Sequence, residues 1–198
     1  MALEGADAIT RPFAGRGGAR PEAAHSGRRS LRGRESRLSK LTVRQIIERA
    51  RVSRRTFYDL FEGKEAAVAA ACDEALSQLC EQTRLAWGKE KEWSHRVAAS
   101  TAAALEWTSA NPEQALLIAD PAAALRDEFG GDRLLERFGP ALRQGRSICT
   151  NALSPSCEVL LLDGAISVTV SRLRSRDASS LADLTPVLTA FLLTPYLG

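Results

Sequence analysis

The sequence predicts an all-α protein, an N-terminal helix-turn-helix head on a longer helical body, and three observations predict it. Apolar residues recur from position 43 onward at i, i+3, i+4 and i+7, the spacing of an amphipathic helix. Strand alternation is confined to residues 166–170, too short to outweigh its helical surroundings. Glycine and proline sit where helices end or begin, at Gly88, Pro112, Pro121 and Pro140, rather than in hairpin turns.

The head is the most sharply patterned stretch. Val43, Ile46, Ile47 and Ala50 share one face of a first helix, and Thr42 is suited to cap it. Ser53 offers a second N-cap, after which Phe57, Leu60 and Phe61 give a short helix an apolar side that can pack on the first across Val52. Arg54, Arg55, Thr56 and Tyr58 are left outward. Long cations at the exposed start of a short helix suit the major groove, where Arg can donate bidentately to guanine while Thr or Tyr bonds phosphate.

The body follows as a series of helices. Residues 64 to about 87 form a long one with Ala67, Val68, Ala71, Ala75, Leu76 and Leu79 inward, ending near Gly88. Residues 93–110 come next, stopped by Asn111 and Pro112, then 112–119 and 121–129, each opened by proline. Residues 134 to about 153 make a further helix, interrupted or restarted at Gly139 and Pro140. Two last helices span 156 to about 174 and 180–193, and Pro186 predicts a kink or a late start in the second. Their apolar residues exceed one stripe, which points to burial on two sides.

Charge divides the chain. Residues 1–60 hold 14 Lys and Arg against six acids, a balance of +8, while the remainder holds 13 against 18, a balance of −5. A basic N-terminal part on an acidic body fits a polyanion-binding head joined to a domain that binds something else. Three segments result: a basic arm at 1–40, a helix-turn-helix domain with its linking helix at 41–87, and a helical ligand-binding and dimerisation domain at 88–198. Between Phe13 and Leu31 the arm's only apolar residues are alanines, and Pro21, Gly27 and Gly33 interrupt it, so no packed helix is expected there. That composition fits a natural arm tracking DNA, or a shifted reading frame at the start of the chain.

Several function classes find no support. Cys72, Cys80, Cys149 and Cys157 never form a Cys-x-x-Cys pair, and His25 and His95 stand alone, so neither a zinc or redox motif nor a catalytic cluster is formed. No phosphate-binding glycine loop or nucleophile elbow is present, and no cofactor is expected. Neither an 18-residue uncharged apolar run nor a secretory leader can be found, so the expectation is a cytoplasmic protein that does not enter membranes.

The segment from 42 to 65 resembles the helix-turn-helix of the tetracycline-repressor (TetR) family. Thr42-Val43-Arg44, Ala50-Arg51-Val52-Ser53, Thr56-Phe57-Tyr58, Phe61 and Lys64-Glu65 carry the likeness. Arg51 departs from it by standing where the family usually has glycine. The resemblance implies a homodimeric regulator, more often a repressor than an activator, which leaves double-stranded operator DNA when a small-molecule effector binds its body. It assigns base contacts to Arg54, Arg55 and Thr56, and phosphate contacts to Thr42, Arg44, Tyr58 and Lys64. An effector pocket would draw on apolar residues of the central helices, with Trp107, Leu117, Phe129 and Phe138 as candidates. A dimer bundle of the last two helices would use Ile166, Val170, Leu188 and Phe191. For the pocket and interface residues plain core packing is the competing role. The rival for the whole chain is a helical ligand-binding or dimerisation protein whose DNA binding is impaired at its N-terminus.

Overall fold

The computed structural model describes residues 41–120, 133–149, 152–175 and 181–198. Eight α-helices and one 3-10 turn lie among these residues, and no strand does. The helices are α1 (Val43–Ala50), α2 (Arg54–Leu60), α3 (Lys64–Trp87), α4 (Trp93–Ala110), α5 (Pro112–Ile118), α6 (Arg133–Arg143), α7 (Cys157–Arg174) and α8 (Leu184–Leu197), with the 3-10 turn at Gln144–Ser147. The arm at 1–40, the helix expected at 121–129 and Phe129 lie outside the described residues.

Local sequence rules build the head. Thr42 and Gln45 form a capping box: the Gln45 N–H donates to the Thr42 hydroxyl at 3.3 Å and the Thr42 N–H to the Gln45 side chain at 2.9 Å. Helix α1 ends at Arg51, which holds a left-handed conformation at φ 54° and is the one non-glycine residue with positive φ among the described residues. A left-handed arginine costs on the order of 1 kcal/mol relative to its right-handed form. Ser53 then caps α2 through the Thr56 N–H at 3.0 Å. Ile46 and Phe57 are fully buried and pack with Leu41, Ala67, Val68, Ala71 and Cys72, so α1 and α2 are seated on the first turns of α3. Each such side chain contributes roughly 1.5–3 kcal/mol by leaving water.

Helix α3 is the spine. Its start and end match the expected bounds, and α4 lies along it. Three apolar clusters divide the body. Ala75, Leu76 and Leu79 of α3 meet Trp107, Ile118 and Leu134. Leu105 meets Leu173, Leu181, Leu184 and Leu188. Val97, Leu142, Leu161, Leu192 and Tyr196 form the third.

One expectation about proline needs correction, and a second narrows to one of its two alternatives. Helix α6 runs through Gly139 and Pro140 without a break and ends at Arg143, where the 3-10 turn takes over. Gly139 is buried against Leu135, so the small residue serves close packing rather than a stop. Pro186 lies in the first turn of α8, where no intrahelical N–H bond is lost, and this is the late start rather than the kink. The same helix continues past 193 through Pro195 to Leu197.

Gly145, in the 3-10 turn, is required by close approach. A Cβ there would stand 2.3 Å from the Trp93 ring. That ring is fixed by its indole N–H donating to the Ala141 carbonyl at 2.9 Å and by an edge contact with Tyr196 at 4.9 Å. Beside it, buried Glu158 accepts two bonds from the Arg146 guanidinium, at 2.7 and 2.8 Å, and one from the Tyr196 hydroxyl at 3.1 Å. The Arg146 pairing holds the Glu158 carboxyl below the usual carboxylate range, and burial beside that carboxylate pushes the Tyr196 hydroxyl well above its ordinary value.

Candidate functional site

Phe57 anchors α2 from beneath, which leaves the opposite side of the helix in solvent. Arg54, Arg55, Thr56 and Tyr58 are all exposed. The Arg54 guanidinium lies over the Tyr58 ring at 5.9 Å, an arrangement that steadies both side chains by a fraction of a kcal/mol at an exposed site. Tyr58 is in turn braced edge-on by Phe57 at 5.3 Å. The Arg55 side chain is 92% exposed and lies 3.9 Å from the Asp59 carboxylate. Thr56 is exposed, yet its hydroxyl is within 2.8 Å of the Ser53 cap hydroxyl, so it helps build the helix start as well as facing outward.

The residues expected at phosphates flank this surface. Thr42 is exposed and spends its hydroxyl on the α1 capping box. Arg44 is 86% exposed and donates to Glu48 at 2.7 Å, one turn along the same helix. Lys64 is the first residue of α3, and the Gly63 cap gives that helix start no side-chain hydrogen bond. A helix N-terminus beside a lysine favours an anion. Arg51, at the turn between α1 and α2, is exposed as well.

A second feature lies in the body. A cavity of about 530 Å3 opens among α3, α4, α5, α6, α7 and α8. Trp107 and Phe138 line it. Leu117 does not: it is buried among Ile46, Phe57, Ala71 and Cys72, where the Cys72 thiol contacts its carbonyl at 4.0 Å. On so short a helix the 100° step between neighbours turns Leu117 to the head while Ile118, Ala115 and Ala119 face the cavity. Burial pushes the Cys72 thiol up to about 12, so it stays a neutral packing group.

The proposed interface residues also separate. Leu188 is buried in the chain's own core, and Ile166 and Val170 line the cavity, so three of the four turn inward. Phe191 is 43% exposed. The outward face of these helices is a different stripe: Leu160, Gly164 and Val168 at successive i+4 positions on α7, with Val187 and Phe191 on α8. A Cβ on Gly164 would come within 3.0 Å of the Phe191 ring, so the two stripes meet there. Sequence periodicity marked both helices as apolar nearly all round and could not say which stripe faced out.

Fold and head together define the class, a helix-turn-helix head on a helical body. Residues 38–71 match the family of bacterial regulatory proteins described as the tetR family. Among solved structures the chain is similar to the fatty acid degradation regulator FadR from Bacillus halodurans, with a TM-score of 0.68 at 14% identity over 96% of each chain. At that identity the likeness shows the shared fold. No curated protein matches the chain. Among the described residues no helix is long and apolar enough to cross a membrane.

Proposed function

We propose that this chain is a ligand-released transcriptional repressor that binds operator DNA as a homodimer. The observation that carries the reading is the outward row on α2, Arg54, Arg55, Thr56 and Tyr58, held by a buried Phe57 within the segment that matches the tetR family. Arg55, Arg54 and Thr56 would read base edges, and Thr42, Arg44, Tyr58 and Lys64 would fix the head on the phosphates. The exposed stripe of Leu160, Val168, Val187 and Phe191 supports a second copy seated on α7 and α8, whose two-fold axis would set two recognition helices over two half-sites. The cavity supports an effector, and α5 supports a route from it, because the helix carries cavity residues and the head-packing Leu117 side by side.

The test is a gel-shift titration with DNA from upstream of the gene that encodes the chain. Sequence-specific retention by a dimer-sized species, lost in Arg54→Ala/Arg55→Ala, supports the reading. Equal affinity for unrelated DNA at matched salt would overturn it. For the interface, Val187→Glu and Phe191→Glu should yield monomers by sedimentation, and an intact dimer in both would place the interface elsewhere.

A further inference from the structure

The cavity's wall carries charge of one sign only. Arg84 of α3 and Arg137 of α6 line it, and no aspartate or glutamate does among the described residues. The two arginines are not equivalent. Arg84 is already engaged by Glu81, to which its Nε and Nη2 both donate at 2.8 Å. Arg137 is exposed and has no carboxylate within 4.0 Å among the described residues. It stands on the side of α6 that faces Cys80, and Cys80 and Arg84 are one turn apart on α3, so the two guanidiniums share the α3–α6 side of the cavity.

The rest of the described wall carries no charge. Thr83, Thr101 and Thr169 line the cavity but donate their hydroxyl hydrogens to carbonyls of their own helices at 2.8 to 3.0 Å, and Ser100 donates to the Thr83 carbonyl at 3.2 Å. Cys80, Thr108 and Gln144 also line it and carry no charge, and the remainder is hydrocarbon from Leu79, Val97, Leu105, Phe138, Ile166 and Leu188. At about 530 Å3 the space falls within the roughly 300–1,000 Å3 of small-molecule sites. A cation placed there would meet two arginines and no counter-ion, and burying an unpaired charge is costly. An anion on an apolar body would meet a planar donor fork suited to carboxylate geometry.

We infer that the cavity binds an amphipathic anion, its apolar body among the helices and its carboxylate against Arg137 with Arg84 at its flank. This rests on the reading of the cavity as the effector site. Among the described residues the carboxylate displaces no internal partner of Arg137, whereas at Arg84 it would compete with Glu81. Arg137 therefore sets the preference for charge, and the apolar wall sets the preference for size.

The experiment uses the full chain and three probes of one chain length: dodecanoate, dodecanol and dodecyltrimethylammonium, each below its micelle concentration at pH 7.5. Binding is read by tryptophan fluorescence, since Trp87 and Trp107 both line the cavity. Dodecanoate should bind about ten-fold tighter than dodecanol, the factor that one charge-assisted bond of ordinary strength gives, and the cation should bind least. Arg137→Gln should abolish the difference between acid and alcohol while leaving the alcohol's affinity unchanged. Equal affinity for acid and alcohol in the unaltered protein would overturn the charge assignment and leave the cavity reading standing. Binding of none of the three would overturn both, and gel-shift of the same sample would still report separately on DNA binding.

Discussion

The head and the C-terminal end of the body are held together by opposite means. In α1 and α2 the caps and aromatic contacts are local, a capping box three residues long, a serine cap, and aromatic neighbours at i+1 and i+4, and the distant contacts are the apolar ones of Ile46 and Phe57 with α3 and Leu117. At the other end Trp93 bonds Ala141, Arg146 bonds Glu158 and Tyr196 bonds Glu158, joining positions 48, 12 and 38 apart in the chain. Local wiring lets the head keep its shape while its outer face is wholly committed to solvent and, on the reading proposed, to DNA. Long-range wiring makes the body's end respond as one unit to any single loss.

The largest effect should come from Glu158→Ala. It leaves the Arg146 guanidinium and the Tyr196 hydroxyl without their buried acceptor, and breaking such a set costs on the order of 3 kcal/mol. Thermal unfolding of the body should fall steeply while the isolated operator affinity of the folded fraction stays unchanged. The same group sets a pH dependence. Because the folded carboxyl lies below its unfolded value of about 4.3, its stabilisation is complete above that pH and is lost as pH falls through the folded value. Urea midpoints should drop on the acid side in the parent chain, and the acid-side slope should be shallower in Glu158→Ala.

Gly145→Ala comes next. The added methyl must displace the Trp93 ring, which is held at both its edge and its nitrogen, and overpacking of this kind costs about 1–3 kcal/mol. A variant melting within error of the parent would show that the ring can move aside and that the end of the body is looser than its contacts indicate.

In the head, Arg55→Ala should leave stability unaltered, since its neighbour Asp59 is exposed and 3.9 Å away. It should weaken specific DNA binding by about 1–3 kcal/mol and relax preference at one base pair. Unchanged base preference in a selection experiment would remove Arg55 from the base-reading set.

The smallest effect belongs to Arg51→Gly. Glycine accepts φ 54° without strain but adds freedom to the unfolded chain, so the two terms nearly offset and stability should rise by less than about 1 kcal/mol. A shallower salt dependence of DNA binding in this variant would show that Arg51 also meets phosphate.

These differences explain what could be read from residues alone. The head's helices, caps and outward side chains were legible because each depends on neighbours within one or two turns, whereas the left-handed turn at Arg51 was hinted at only by the resemblance, in which glycine usually stands there. The bounds of α3 and α4 were legible for the same reason, marked by Gly88 and by Asn111 with Pro112. The cavity was not, because its lining is drawn from six helices, and periodicity places a residue on a face without naming what that face meets. Leu117 illustrates the limit: its apolar character was plain, but only the packing of α5 sent it to the head while Ile118 went to the cavity. Glu158 left no signal at all, since a carboxylate in a helix start reads as solvated until the Arg146 and Tyr196 partners are brought to it.

Helix α5 spans seven residues, about 10 Å of rise. So short a rod has no interior length over which a displacement at one side can fade before reaching the other. If effector and operator each prefer a different seating of that rod, their binding energies are linked and the linkage runs both ways. Operator DNA must then reduce the affinity for the effector by the same factor by which the effector reduces the affinity for DNA. Titrating a ligand into the protein with and without operator would measure that factor from the cavity's side, with the recognition helix never probed.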